Sequence, residues 1–397
     1  MRILVYTGKG GVGKTSIAAA TATRLAAAGQ RVLIMSTDAA HSLSDSLSVP
    51  LGPDPVLVSE NLFAQEVDSL REAERSWGSM QRWLNGVMQW AKIGDIDPEE
   101  LLVFPGLEEL FSLLQIRRQA ECGLYDVIIV DCAPTGETLR LLSFPSTFHW
   151  WVERMFPTKR RLVKLARPLV KMVGGGLELP PEPVMDEVEQ LLFELKAMQE
   201  LLLDASITSI RLVLNPEKMV IAEARRSFTY LNLFGFNTDA VIVNRLLPEA
   251  VGDSYLAGWR EAQQRYLQEI EMAFSPLPIL KVPHMPREVT GLEMLGQVAT
   301  AAFGGLDASA ILYSGRIESV RKTDEGYALD ISIPFVPKDQ VNLAERGDEL
   351  TVQVSWYKRK VILPRALLGR PVLGAKFMDG HLQVRFGQRP DSIGEEV

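Results

Sequence analysis

Short apolar runs recur along the first part of the chain, at residues 3–6, 32–35, 127–130, 210–214, 240–243 and 279–282, with stretches of helical spacing between them. Buried runs that alternate with helices predict a mostly parallel sheet covered on both faces. The Ala-rich segment 16–28 reads as a helix that stops at Gly29. Trp77, Met80, Leu84, Val87, Met88 and Ala91 share one helical face, and residues 101–116 are similar but broken at Pro105-Gly106. Val188, Leu191, Leu192, Leu195, Met198, Leu201 and Leu202 mark another amphipathic helix. Gly174-Gly175-Gly176 and Pro180-Pro181-Glu182-Pro183 break the chain before it. These stretches are read as helical inserts at about 70–120 and 146–205. After about Gly305 the period changes to two: Leu329, Ile331, Ile333; Leu350, Val352, Val354, Trp356; Val361, Leu363; Leu382, Val384, Phe386. Turn residues at Asp324-Glu325-Gly326, Arg346-Gly347-Asp348 and Asp379-Gly380 separate the runs, which predicts a small all-β sandwich over 310–389. The polar tail 390–397 is expected to be disordered.

Ligands of such parallel sheets bind at the carboxyl ends of the strands. Directly after the first run stands GKGGVGKT, residues 8–15. Glycines at this spacing free the backbone N–H groups to curl around an anion, and the next helix adds its positive end. Gly8, Gly10, Gly11, Val12, Gly13, Lys14, Thr15 and Ser16 are therefore the expected phosphate-binding residues, with Lys14 on the β- and γ-phosphates and the Thr15 hydroxyl on Mg²⁺. Gly8, Gly10 and Gly13 also spell the dinucleotide fingerprint, with Asp38 where a ribose-binding acid would stand. That alternative leaves Lys14 and Thr15 without a role. Residues 1–305 thus read as an α/β phosphate-loop ATPase domain.

Hydrolysis of a triphosphate needs a metal, neutralised charge and an oriented water. Asp131 ends the run 127–130 and is expected to hold Mg²⁺ through water; Asp38, after 32–35, is expected to orient or deprotonate the attacking water. A lone aspartate after a strand is usually a cap or turn residue. Two on one sheet edge, beside the loop, favour the functional reading. Lys9 is either a solvated lysine or a second cation that crosses to a nucleotide held by another subunit and neutralises transition-state charge.

The 397 residues carry a net charge of −8, against a general nucleic-acid surface. Two cysteines, Cys122 and Cys132, make no disulfide framework. No apolar run reaches a membrane span, and Met1-Arg2 leads straight into the first run, so no cleavable signal is expected and the protein is read as cytoplasmic.

Four motifs in order carry a resemblance. KGGVGKT at 9–15, STDAAHSLSD at 36–45 (matching the family's first switch), DCAPTGETLRLL at 131–142 (matching its second switch) and VIVNRLLP at 241–248 resemble the arsenical-pump and tail-anchored-protein-targeting ATPases, the deviant phosphate-loop class with a signature lysine. VPHMPREVTGLEML at 282–295 resembles the segment flanking the base. The resemblance implies a homodimer with facing ATP/ADP–Mg²⁺ sites, catalytic roles for Lys9, Lys14 and Asp38, and adenine contacts from Asn244, Pro283 and His284. Ala39 and Glu137 depart from the family pattern, and no C-x-x-C pair follows Pro248, so no zinc site is expected. Cys132, within the second switch, is explained by packing. Residues 327–343, 346–354 and 360–386 resemble the α-crystallin domain of small heat-shock proteins, without the long apolar arm or I-x-I tail that builds their oligomers. An accessory docking module and a sandwich that only stiffens the dimer both remain open.

The function implied is an ATP-hydrolysing targeting factor or chaperone whose nucleotide state governs binding of hydrophobic clients, such as tail-anchored membrane-protein helices, with a membrane receptor as a further partner and no nucleic acid. Leu162, Leu165, Leu169 and Val173 oppose Arg160, Lys164, Arg167 and Lys171 on a segment kinked at Pro168. Core packing, a membrane-surface helix and a client groove all suit it, and Met80, Met88, Met155 and Met172 suit the groove. Two alternatives stay open: the ATPase motor of an arsenite or anion efflux system, and a nucleotide-gated scaffold with slow hydrolysis.

Overall fold

A computed structural model describes residues 1–37, 42–68, 71, 107–132, 182–248, 254–315, 317–346, 349–355, 357–364 and 366–389. Asp38 and the segments around 77–91 and 148–173 lie outside these residues.

The expected runs form β1 (Arg2–Thr7), β2 (Val32–Ser36), β5 (Val127–Asp131), β6 (Thr208–Leu214), β7 (Thr238–Leu246) and β8 (Ile279–Pro283). With β3 (Val56–Ser59) and β4 (Leu62–Glu66) they build one sheet in the order β3-β4-β2-β5-β1-β6-β7-β8. Every pairing is parallel except β3 with β4. Ile3, Leu4, Ile34, Ile128, Ile129, Leu212, Val241 and Ile242 are fully or almost fully buried, as expected of strands covered on both faces. β4 is not apparent as an apolar run because Gln65 and Glu66 are buried polar residues, and β3 is a run of only three apolar residues, Val56, Leu57 and Val58. The Gln65 amide donates to the Pro53 carbonyl at 2.6 Å, and Glu66 Oε1 accepts from the Ser44 N–H at 2.9 Å.

The covering helices are α1 (Lys14–Ala27), α2 (Ser42–Leu47), α3 (Leu107–Glu121), α4 (Glu182–Leu203), α5 (Lys218–Phe234), α6 (Ser254–Phe274) and α7 (Gly291–Phe303). α1 begins two residues before its expected start, inside the phosphate loop, and ends at Ala27, two residues before left-handed Gly29. α3 starts directly after Pro105-Gly106, and α4 buries Leu191, Leu195, Met198 and Leu202 as its periodicity predicts. Among the described residues no helix is long and apolar enough to cross a membrane.

The last part of the chain is antiparallel throughout. β9 (Glu318–Thr323), β10 (Gly326–Ser332), β14 (Val372–Met378) and β15 (His381–Phe386) form a sheet in the order β14-β15-β10-β9; β11 (Val341–Arg346), β12 (Glu349–Val354) and β13 (Tyr357–Ile362) form a second. The alternating set Leu329, Ile331, Leu350, Val352, Val361, Leu382, Val384 and Phe386 is buried. These sheets rest on α5 and α6. Thr229 donates to the Pro334 carbonyl at 2.6 Å, Arg359 donates to the Leu233 carbonyl at 2.8 Å, and the rings of Tyr230 and Tyr357 stand 3.9 Å apart. Phe335 packs edge-on against Phe274.

The connection between the two parts is tied to the middle of β6, the amino end of β7 and Tyr6 of β1 by a buried ion pair. Arg211 and Asp239, both fully buried, meet at 3.1 Å. Arg211 also donates to the Ala308 and Ala310 carbonyls and to the Tyr6 hydroxyl, and Asp239 accepts from the Leu312 N–H at 3.2 Å. Arg2 adds a bond to the Ser309 carbonyl at 3.0 Å. Burial opposes the Arg211 charge, but the phenol of Tyr6 and the carboxylate of Asp239 outweigh it, so its pKa lies above the usual arginine value. Removing one member strands the other's charge, whereas replacing both with apolar groups does not. Arg211→Ala should therefore cost about 3–5 kcal/mol of stability in urea unfolding. Arg211→Met combined with Asp239→Leu should lose less, although the Ala308 and Ala310 carbonyls go unmet.

Candidate functional site

The phosphate loop leaves the sheet at its middle. β1 lies between β5 and β6, and Tyr6 is in register with Asp131. Asp131 is also in register with Ser36 of β2, so the ends of three strands meet where the loop begins.

Two glycines are required by close approach. A Cβ on Gly8 would collide with the Val213 carbonyl of β6, and one on Gly13 would collide with the Asn244 amide nitrogen. Gly13 has a φ of 92° and is the N-cap of α1. With no side chain there, the loop packs down between β6 and the end of β7, and the first N–H groups of α1 stay free for an anion. Lys14 is 6% exposed.

The next residue joins the elements that a nucleotide cycle must couple. Thr15 Oγ1 donates to Asp131 Oδ2 at 2.7 Å and lies 3.1 Å from Ser42 Oγ, the first residue of α2. Asp131 is fully buried and its carbonyl accepts from the Thr37 N–H at 3.0 Å. Two hydroxyls and a carboxylate are hard oxygen donors, the set that suits Mg²⁺ and not a soft metal. Thr15 and Asp131 are thus the residues that would hold Mg²⁺, which when bound neutralises phosphate charge.

A cavity of about 650 Å³ opens on the loop. Gly10, Gly11, Gly13, Lys14, Thr15 and Ser16 line it together with Asn244, Pro283 and His284. All these expected residues therefore surround one space. Gly8 and Val12 act from below it: Val12 is buried and its carbonyl accepts from Asn244 Nδ2 at 2.9 Å. Lys9 is half-buried and is not among the described lining residues. Asp38 lies outside the described residues. Cys132 is buried against Val5, Leu113 and Phe236, in accord with its reading as a packing residue, and Cys122 is an exposed free thiol.

Residues not singled out from sequence also line the cavity: Ser42 and Asp45 of the first switch, Arg245 beside Asn244, and Arg287 and Glu288 after His284. Each lies in or beside a recognisable motif, but only folding shows which members face the space.

Residues 1–303 match the family described as anion-transporting ATPase, and residues 324–386 match the HSP20-like domain found in ArsA. The chain belongs to the anion-transporting ATPase (ArsA) family. It is an ATPase in single-half form. It is 41% identical over 389 residues, 97% of this chain and 96% of the relative, to a Chlorobaculum tepidum protein provisionally named an arsenical pump-driving ATPase. It is also 30% identical over 376 residues to ATPase ARSA2 of Chlamydomonas reinhardtii, covering 91% of this chain and 93% of the relative. With ATPase GET3A of Arabidopsis thaliana it shares 32% identity over 292 residues, 72% of this chain and 80% of the relative. The first two alignments cover more than nine-tenths of this ATPase; the third covers less of it.

The steric need for Gly13 gives a direct test. Gly13→Ala forces a Cβ into the Asn244 amide at a backbone angle that L residues rarely adopt. The variant should keep its far-UV circular dichroism yet bind ATP at least tenfold more weakly by equilibrium titration, since about 1.4 kcal/mol of lost contact suffices.

Proposed function

We propose that this ATPase is a cytoplasmic homodimer in which the nucleotide state of the phosphate-loop cavity controls a surface for hydrophobic client segments. The observation that carries this reading is the bond pattern of Thr15. A single hydroxyl touches both Asp131, where the second switch begins, and Ser42, where the first-switch helix begins. Anything that draws Thr15 toward a cation alters both contacts together. A change of charge at the γ-phosphate is then passed to two segments, the usual route by which triphosphate hydrolysis becomes movement.

Within the cavity, Lys14 and the loop N–H groups hold the phosphates and Thr15 and Asp131 hold Mg²⁺. Asp38, two residues beyond β2, orients or deprotonates the water. Asn244 has spent one amide hydrogen on Val12 and one lone pair on Arg245, which leaves a donor and an acceptor on one side chain. That pair matches the N7 and N6 positions of adenine, the usual partner of an asparagine amide. Pro283 and His284 flank the base. Lys9, half-buried and outside its own cavity's lining, crosses to the nucleotide of the second subunit.

The hydrophobic client, such as the helix of a tail-anchored membrane protein, follows from the resemblance to the targeting branch and from the similarity to ATPase GET3A. A second reading, the motor of an arsenite or anion efflux system, is favoured by the name of the Chlorobaculum relative. Its thiol chemistry is less well matched, because Cys132 is packed in the core and Cys122 is at the surface. One hydrolysis assay separates them. ATP turnover should change at least twofold when a transmembrane-helix peptide in detergent is added, and should not respond to antimonite. Stimulation by antimonite with indifference to the peptide would replace the first reading by the second.

A further inference from the structure

The pairing of β7 with β8 slips by one residue beside the cavity. Val243 is opposite Lys281, and pairing resumes with Leu246 opposite Pro283, so three steps along β7 match two along β8. The extra residue is accommodated at Asn244-Arg245, where Arg245 adopts a left-handed φ of 60°. A bulge of this kind re-aims a side chain and takes backbone groups out of the ladder. Here the side chain is Asn244, turned to the Val12 carbonyl of the phosphate loop, with its Oδ1 accepting from the Arg245 N–H at 2.9 Å.

The displaced backbone groups are met from outside the sheet. Gln263, on α6, donates from Nε2 to the Arg245 carbonyl at 3.2 Å and accepts at Oε1 from the Leu247 N–H at 2.9 Å. A primary amide carries a donor and an acceptor side by side, so it replaces the missing peptide group of a neighbouring strand. Only one orientation of the amide satisfies both bonds. From the other side, the His284 N–H donates to the Leu246 carbonyl at 2.7 Å. The segment 245–247 is thus gripped between α6 and the end of β8, and both residues of the bulge line the cavity while Gln263 is not among its described lining residues.

We infer that Gln263 is a positioning residue for base recognition: it clamps the bulge that sets Asn244 and Arg245 in the wall of the nucleotide cavity. This rests on reading that cavity as the ATP site, and it adds a determinant of base selectivity on a helix that carries none of the nucleotide motifs. Without the clamp, the carbonyl of Arg245 and the N–H of Leu247 turn to water, the left-handed turn relaxes, and the asparagine amide loses its fixed direction. The phosphate loop loses its bond from Asn244 to the Val12 carbonyl but keeps the glycine packing against β6 and the helix α1 that shape it.

The test uses the intact chain with Mg²⁺ and equilibrium binding of ATP, GTP and tripolyphosphate. Gln263→Leu, which keeps the side-chain volume but neither bond, should bind ATP about tenfold more weakly, a loss on the scale of the bonds removed. Its preference for ATP over GTP should shrink, tripolyphosphate binding should stay within about twofold, and the Leu247 amide should exchange its hydrogen faster. Unchanged ATP affinity would overturn the proposal. So would equal weakening of ATP and tripolyphosphate, which would mark Gln263 as a general support of the fold. Failure of the unaltered protein to bind ATP at all would remove the underlying reading of the cavity, an outcome visible before any variant is compared.

Discussion

The hydrogen bond from the Thr15 hydroxyl to the buried Asp131 carboxylate, at 2.7 Å, holds the site together. It ties the first turn of the helix after the phosphate loop to the end of β5 beside β1, where the ends of β1, β2 and β5 stand in register. A fully buried carboxylate is costly unless donors or a cation meet it. The same donor set that stabilises Asp131 here is the one a hard divalent cation would take over. Because Ser42 shares the Thr15 hydroxyl, the start of α2 is coupled to whatever occupies the metal position.

A different buried charge pair joins two interior strands of the sheet, β6 and β7. Arg211 and Asp239 bind the chain at 308–312, and so fix where the antiparallel sheets begin. Those sheets then lie along α5 through Thr229, Tyr230 and Arg359, and Phe335 beyond β10 packs on Phe274 at the end of α6. α6 is also the helix that holds the bulge beside the nucleotide cavity through Gln263. The HSP20-like part therefore touches, through Phe335, the helix that carries Gln263.

Much of the parallel sheet can be read directly from sequence. Strands such as β1, β2 and β5 are buried on both faces and so appear as uninterrupted apolar runs. The strands that escaped notice lie at or near sheet margins. β4 carries Gln65 and Glu66, whose burial is made tolerable by partners far along the chain. β9, β11 and β14 are edge strands, and β9 places Arg321 and Lys322 in solvent, as edges that avoid pairing with other chains do. The same division runs through the site. The loop was legible because close packing demands glycine at fixed spacing. Gln263 left no signal, since a glutamine among the polar residues of α6 is ordinary until the slipped register of β7 shows what it replaces.

The central claim is that Thr15 and Asp131 make the cavity a site for a metal-bound triphosphate. The most direct measurement is calorimetric titration of the intact chain with ATP, first in Mg²⁺ and then with the cation chelated by EDTA. The account predicts saturable binding with one nucleotide per chain, weakened at least tenfold when Mg²⁺ is withdrawn, a difference of about 1.4 kcal/mol or more. Equal affinity with and without Mg²⁺, or no binding in either condition, would contradict it.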